Sequence, residues 1–249
     1  MTRRTATRTR AASGWALPGL ALGLVLLVEG CAGLVPGKES ATADAPGGDG
    51  TFQVRKGRPG IVIGAPPGAS DAETDTVARD LASLTGFGLV VMRESTGRSP
   101  NTVVKVEDHN AEALSADHAY RRLVADAAQG PLRLYVEVHG DGQGGNAGRL
   151  HIATVGLSAD DAWRLKTLFE LIRDARVESP VPRLDVFVDS RVAIRETAPV
   201  AIPAGALGAP RTLQIDVPRA ARTTYREAYT RVLAAFLTES ATFLAARER

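Results

Sequence analysis

Three short stretches of the chain set ionisable side chains at the ends of apolar runs. Ala65-Pro66-Pro67-Gly68-Ala69-Ser70-Asp71, followed by Thr74, places a carboxylate just after a turn. Tyr135-Val136-Glu137-Val138-His139-Gly140 carries a carboxylate and an imidazole two positions apart. Leu213-Gln214-Ile215-Asp216-Val217-Pro218-Arg219 puts a carboxylate inside an apolar run. A second imidazole, His151, follows the glycine-rich stretch 140–148. Carboxylates and imidazoles brought together can move protons or hold a metal ion. The sequence has no G-x-S-x-G nucleophile elbow, no H-E-x-x-H, no C-x-x-C and no G-x-x-x-x-G-K-[ST] phosphate loop.

Each candidate also has a plainer reading. Ser70-x-x-Glu73 has the form of a capping box, in which Asp71 simply favours the positive end of a helix. His139 ends a strand beside a glycine loop and could be structural. Glu137 shares a strand face with His139 and could be its buried partner. Asp216 is costly to bury alone, and a salt bridge to Arg219 or Arg222 accounts for it as well as catalysis does. His109 and His118 lie on polar or helical stretches and are expected to face solvent.

The elements that must position these residues alternate. Short apolar strands are expected at 60–65, 89–92, 132–138, 150–155, 184–188 and 213–217. Helical periodicity covers 71–83, with Val77, Leu81 and Leu84 inward, and 111–128, with Leu114, Ala119, Leu123 and Val124 inward. A helix over 160–173 has Trp163, Leu165, Leu168 and Leu171 as its apolar set, and a long helix spans 223–246. The pattern implies an α/β fold: a mixed, mostly parallel sheet with helices on both faces. In such sheets function gathers beyond the carboxyl ends of the strands. The places to inspect are therefore 65–74, 139–147, 189–196 and 216–222.

Taken together and in order, the three stretches resemble the N-formylglutamate amidohydrolase-like branch of the zinc carboxypeptidase fold. That family's pattern is a strand ending in A-P-H-G-G with an acid shortly after, a strand ending in E-x-H-G, and a late strand reading Q-[IL]-E-[IL]-P. The segment 147–156 adds to the likeness, which runs from about residue 60 to the C-terminus. The resemblance implies zinc as cofactor and a water activated by it to cleave an amide bond in a small acyl-amino acid or peptide. It places metal ligands at Asp71 and His139, and the base at Asp216. Two positions depart from the pattern. Pro67, which has no donor atom, stands where the family has its first histidine, and Asp216 is one methylene shorter than the family's glutamate. A hydrolase with weakened or lost activity, and a non-catalytic binding module that keeps the cleft without metal, therefore both stand beside the active enzyme.

A substitute for the ligand missing at Pro67 can be read from spacing. If 132–139 and 150–155 form a hairpin centred near Gly145, His139 and His151 stand opposite one another. Directly opposed Cβ atoms are about 4.5–5.5 Å apart, within reach of one metal. His151, with Asp71 or Asp216 nearby, would then complete a rebuilt site.

The chain of 249 residues carries +2 overall, but residues 1–30 carry +3 through Arg3, Arg4, Arg8, Arg10 and Glu29, which leaves −1 for the remainder. That balance argues against a nucleic-acid partner. The arginines, an apolar run from Ala16 to Val28, and Val28-Glu29-Gly30-Cys31 resemble a lipoprotein signal peptide ending in a lipobox. Cys31, the sole cysteine, is the expected attachment point for lipid such as palmitate. Residues 1–30 are then the signal peptide, 31–52 the lipidated cysteine and a flexible tether, and 53–249 one domain. Ala32 after the cysteine points to the periplasmic side of the outer membrane.

Overall fold

The computed structural model describes residues 41–44, 51–65, 73–93, 118–141, 148–190, 207 and 209–247. Cys31, Pro67, Asp71, His109 and Leu114 lie outside the described residues.

In chain order the elements are β1 (Ala41–Asp44), β2 (Thr51–Arg55), β3 (Arg58–Ala65), α1 (Thr74–Thr85) and β4 (Phe87–Arg93), then a helix α2 over 118–128. There follow β5 (Leu134–Gly140), β6 (Arg149–Val155), α3 (Ala159–Arg176), β7 (Asp185–Ser190), β8 (Thr212–Val217), α4 (Arg219–Arg222) and α5 (Arg226–Ala246). The eight strands form one sheet in the order β1-β2-β4-β3-β5-β8-β6-β7. Its centre, β4-β3-β5-β8, is parallel, as is β6 with β7. The pairings β1–β2, β2–β4 and β8–β6 are antiparallel. This is the mixed, mostly parallel α/β architecture expected from the alternation of elements.

Period-two alternation divides the sheet's side chains between two cores. On one face Ile61, Ile63, Leu89, Val136, Val138, Ile152, Leu213 and Ile215 pack against α1, α3 and α5. On the other, Phe52, Val54, Val62, Val90 and Tyr135 pack against Tyr120, Val124, Ala127 and Ala128 of α2. That second core ends at Tyr135. Further along β5, and across β8, β6 and β7, the same face turns polar.

Several local expectations are corrected. α1 begins at Thr74, and Glu73 before it has φ 72 with no side-chain cap, so Ser70-x-x-Glu73 does not act as a capping box. The Glu73 carboxylate instead accepts from Arg226 Nη1 at 2.9 Å. Leu84 is exposed, as are Trp163 and Leu171, each at 65%. The inward set of α3 is Ala162, Leu165, Phe169 and Arg173. Arg173 can face inward because its Nη1 donates to the Leu184 carbonyl at 2.7 Å. The expected tether also contributes to the sheet, since Ala41–Asp44 pairs with Thr51–Val54. Such pairing at a sheet edge is made by backbone N–H and C=O groups and needs no apolar side chains, so composition gives no sign of it.

The Tyr120 and Tyr135 hydroxyls meet at 2.8 Å in a fully buried position. Burial first, with the nearby Glu137 carboxylate adding to it, pushes both phenols well above their ordinary pKa; Tyr120 raises Tyr135 further, while the hydrogen bond with Tyr135 offsets part of the rise at Tyr120. Unfolded tyrosine ionises near pH 10. Above that pH the unfolded chain sheds protons that the folded chain keeps, so this contribution to stability is complete below about pH 10 and falls as pH rises toward the folded pKa. Alkaline unfolding followed by circular dichroism should coincide with the appearance of tyrosinate absorbance from this pair. Tyrosinate from Tyr120 and Tyr135 forming near pH 10 with the fold intact would count against it.

Candidate functional site

The polar half of the second face is built by register. His139 on β5 pairs with Asp216 on β8, and Asp216 pairs with His151 on β6. His151 in turn pairs with Phe187 on β7. Paired residues point to the same face, so one row runs His139–Asp216–His151–Phe187 across four strands. Glu137 and Gln214, themselves register partners, lie two positions earlier on β5 and β8. Because β6 runs antiparallel to β8, its first residues stand beside the carboxyl ends of β5 and β8, where the function of such sheets gathers.

Sequence spacing brought the right residues together by the wrong connection. β5 and β6 are not a hairpin: β8 lies between them. Adjacent strands are about 4.8 Å apart, so the His139 and His151 backbones are separated by two such steps with Asp216 between them. The glycine-rich loop gave no sign that a strand from sixty residues later would insert there.

Within the row, His139 Nε2 donates to Glu137 Oε1 at 2.5 Å. Glu137 is 2% exposed. Its Oε2, and Oε1 of neighbouring Gln214, are buried acceptors without a hydrogen-bond partner among the described residues. Buried acceptors call for a donor or a cation, so this patch suits protons and cations, not anions. The two oxygens of Asp216 are both engaged: Oδ2 accepts from His151 Nδ1 at 3.0 Å and Oδ1 from Gln214 Nε2 at 3.3 Å. The salt bridge to Arg219 or Arg222 is therefore not what holds Asp216. Arg222 Nε donates to the Val217 carbonyl instead.

Beside this row is a cavity of about 220 Å³ lined by Asp141, Arg149, His151, Phe187 and Asp216. Asp141, Arg149, Phe187, Asp189 and Gln214 were not singled out in the sequence. Strand parity alone would have placed Gln214 beside Asp216 and Asp141 beside His139. Placing Arg149, Phe187 and Asp189 needed the strand order.

The chemistry of the donors bears on zinc in two ways. A metal-ligating histidine usually gives its other ring N–H to a carboxylate, and the Glu137–His139 pair has that form, so a metal at His139 would be met by Nδ1. Among the described residues, however, no group of three or more His, Cys, Asp or Glu side chains is placed to hold an ion. Of the ligands implied by resemblance, Asp71 lies outside the described residues.

No protein-family profile matches the sequence, and no curated protein matches it. Among solved structures, the chain is similar to a bacteriophage poly-gamma-glutamate hydrolase at 12% identity and a TM-score of 0.50, over 82% of this chain and 93% of that one. A metallo-carboxypeptidase from Burkholderia cenocepacia aligns at 12% identity and a TM-score of 0.44, over 85% of this chain and 66% of the other. At such identities the likeness is one of fold. The chain has a mixed, mostly parallel α/β fold similar to that of the poly-gamma-glutamate hydrolase.

Proposed function

We propose that this chain is a metal-assisted amide hydrolase acting on a small acyl-amino acid or peptide, with its site on the row His139–Asp216 at the carboxyl ends of β5 and β8. The observation that carries the reading is the pairing of a carboxylate-backed imidazole with a carboxylate on the adjacent strand, in register. His139 and Asp71 would hold zinc, which when bound would polarise a carbonyl and lower the pKa of water enough for a base to deprotonate it into a nucleophile. Glu137 fixes the ring orientation of His139. Asp216 accepts the proton of the attacking water and returns it to the leaving amine, the role for which a held carboxylate beside an open cavity is suited. The resemblance to a poly-gamma-glutamate hydrolase in fold makes oligo-γ-glutamate, alongside N-formyl-L-glutamate, a suitable probe. Hydrolysis of either by the full chain, abolished by a chelator and restored by zinc, is the expected result; no hydrolysis with zinc supplied would sink the reading.

Pro67 favours a second reading. It offers no donor where the resembled pattern has its first histidine, and a chain that lost the metal could keep the cavity as a binding module. Binding of the same probes without turnover would favour this second reading.

The reading also places the protein on a membrane, held by lipid at Cys31 with the domain on the periplasmic side of the outer membrane. The arginine-rich leader and the sole cysteine support this. Mass spectrometry of membrane-extracted protein should find a chain that begins at residue 31 and carries acyl mass; an unmodified Cys31 would refute the anchor.

A further inference from the structure

His151, expected from spacing to be a metal ligand, is held in a way that suits another role. Its ring is engaged on three sides. Nδ1 meets Asp216 Oδ2 at 3.0 Å, Nε2 lies 3.5 Å from Asp189 Oδ2, and the ring stacks on Phe187 with centroids 5.5 Å apart and planes inclined by 27°. The two neighbouring strands, β7 and β8, supply these contacts, with Phe187 and Asp216 as its register partners and Asp189 two positions beyond Phe187. A ligating histidine turns one nitrogen to a carboxylate and the other to the metal; His151 turns each nitrogen to a carboxylate.

We propose that His151 is a positioning residue for Asp216: it fixes the carboxylate through Nδ1, is itself aligned by Asp189 and Phe187, and takes no metal. An aspartate is one methylene shorter than a glutamate, so its carboxylate has less reach toward a substrate. A carboxylate left to rotate would then present its oxygens to the cavity only part of the time. With His151 on Oδ2 and Gln214 on Oδ1, the group has one orientation. Misplacing a reacting group by about 1 Å can cost on the order of 10²-fold in rate. The consequence for turnover rests on the reading of Asp216 as base, whereas the pairing itself does not.

Three measurements on the full chain separate these levels. In protein isotopically labelled at its four histidines, NMR should show a His151 Nδ1–H resonance protected from exchange, lost in Asp216→Ala and kept in Asp189→Ala. Persistence of that resonance in Asp216→Ala would overturn the pairing. Zinc content should be the same in His151→Ala as in the unaltered protein, and a loss of zinc would overturn the assignment. With oligo-γ-glutamate as substrate, His151→Ala should lower kcat by about 10²-fold with KM little changed. His151→Asn, whose amide nitrogen stands near the place of Nδ1, should recover most of the loss, and His151→Gln should not. Equal kcat in all three variants, with only stability reduced, would show a merely structural histidine. If the unaltered protein turns over neither probe, the hydrolase reading fails while the resonance and the zinc content still decide the role of His151.

Discussion

Asp216→Asn should lower kcat/KM on oligo-γ-glutamate or N-formyl-L-glutamate by about 10²–10⁴-fold, the usual contribution of a positioned general base. The asparagine keeps the shape of the side chain and one acceptor oxygen, enough for His151 Nδ1 or Gln214 Nε2 as these now donate, but it cannot take a proton. Unfolding is not expected to explain the loss, because the Asp216 side chain is 27% exposed and lies on the polar half of the sheet, while its neighbours Ile215 and Val217 anchor β8 in the opposite core. The comparison is between rates at matched protein concentration, with circular dichroism to confirm an unchanged fold. Activity retained within about tenfold would remove Asp216 from the role of base.

Gly156→Ala should be among the most destabilising single changes in the domain. Gly156 follows β6 with φ +73, a conformation that alanine adopts only with strain. A Cβ at this position would stand 1.8 Å from the Pro210 carbonyl oxygen and 2.9 Å from its carbon. The obstruction is backbone, which cannot swing aside as a flexible side chain would. Left-handed strain of roughly 1–2 kcal/mol together with an overpacking cost of about 1–3 kcal/mol gives about 3 kcal/mol. At about 2–4 °C per kcal/mol for a domain of this size, Tm should fall by about 10 °C. The change would also disturb the register of β6 against β8, where Val155 pairs with Thr212, and so loosen the His151–Asp216 contact. A melting temperature within about 2 °C of the unaltered protein would show that the turn can relax at little cost.

The fold class was legible because apolar strands and amphipathic helices alternate from β3 onward. The stretches around residues 139 and 216 also led to the row that the sheet assembles, while the one around residue 67 lies outside the described residues. What the sequence could not yield was lateral order. A strand's neighbours are chosen by long-range packing, and nothing local to Gly140 or Gly148 shows that β8 inserts between β5 and β6. The placement of His151 followed that error: the hairpin sets it opposite His139, whereas the sheet sets it beside Asp216 and close to Asp189. The phase of α3 was misread for a related reason. Trp163 and Leu171 have the apolar character of a core face, yet Leu165 and Phe169 face the sheet, on the same side as Arg173, whose guanidinium is satisfied there by the Leu184 carbonyl. The strand Ala41–Asp44 was missed because backbone pairing at an edge leaves little mark on composition.

The most direct test of the hydrolase account is the zinc content of the detergent-extracted full chain, measured beside that of His139→Ala after exposure to zinc and removal of the excess. The account predicts about one zinc per chain in the unaltered protein, the stoichiometry of a single-metal catalytic site, and little or none in the variant. A chain that retains no zinc, or a His139→Ala variant that retains as much as the unaltered protein, would contradict it.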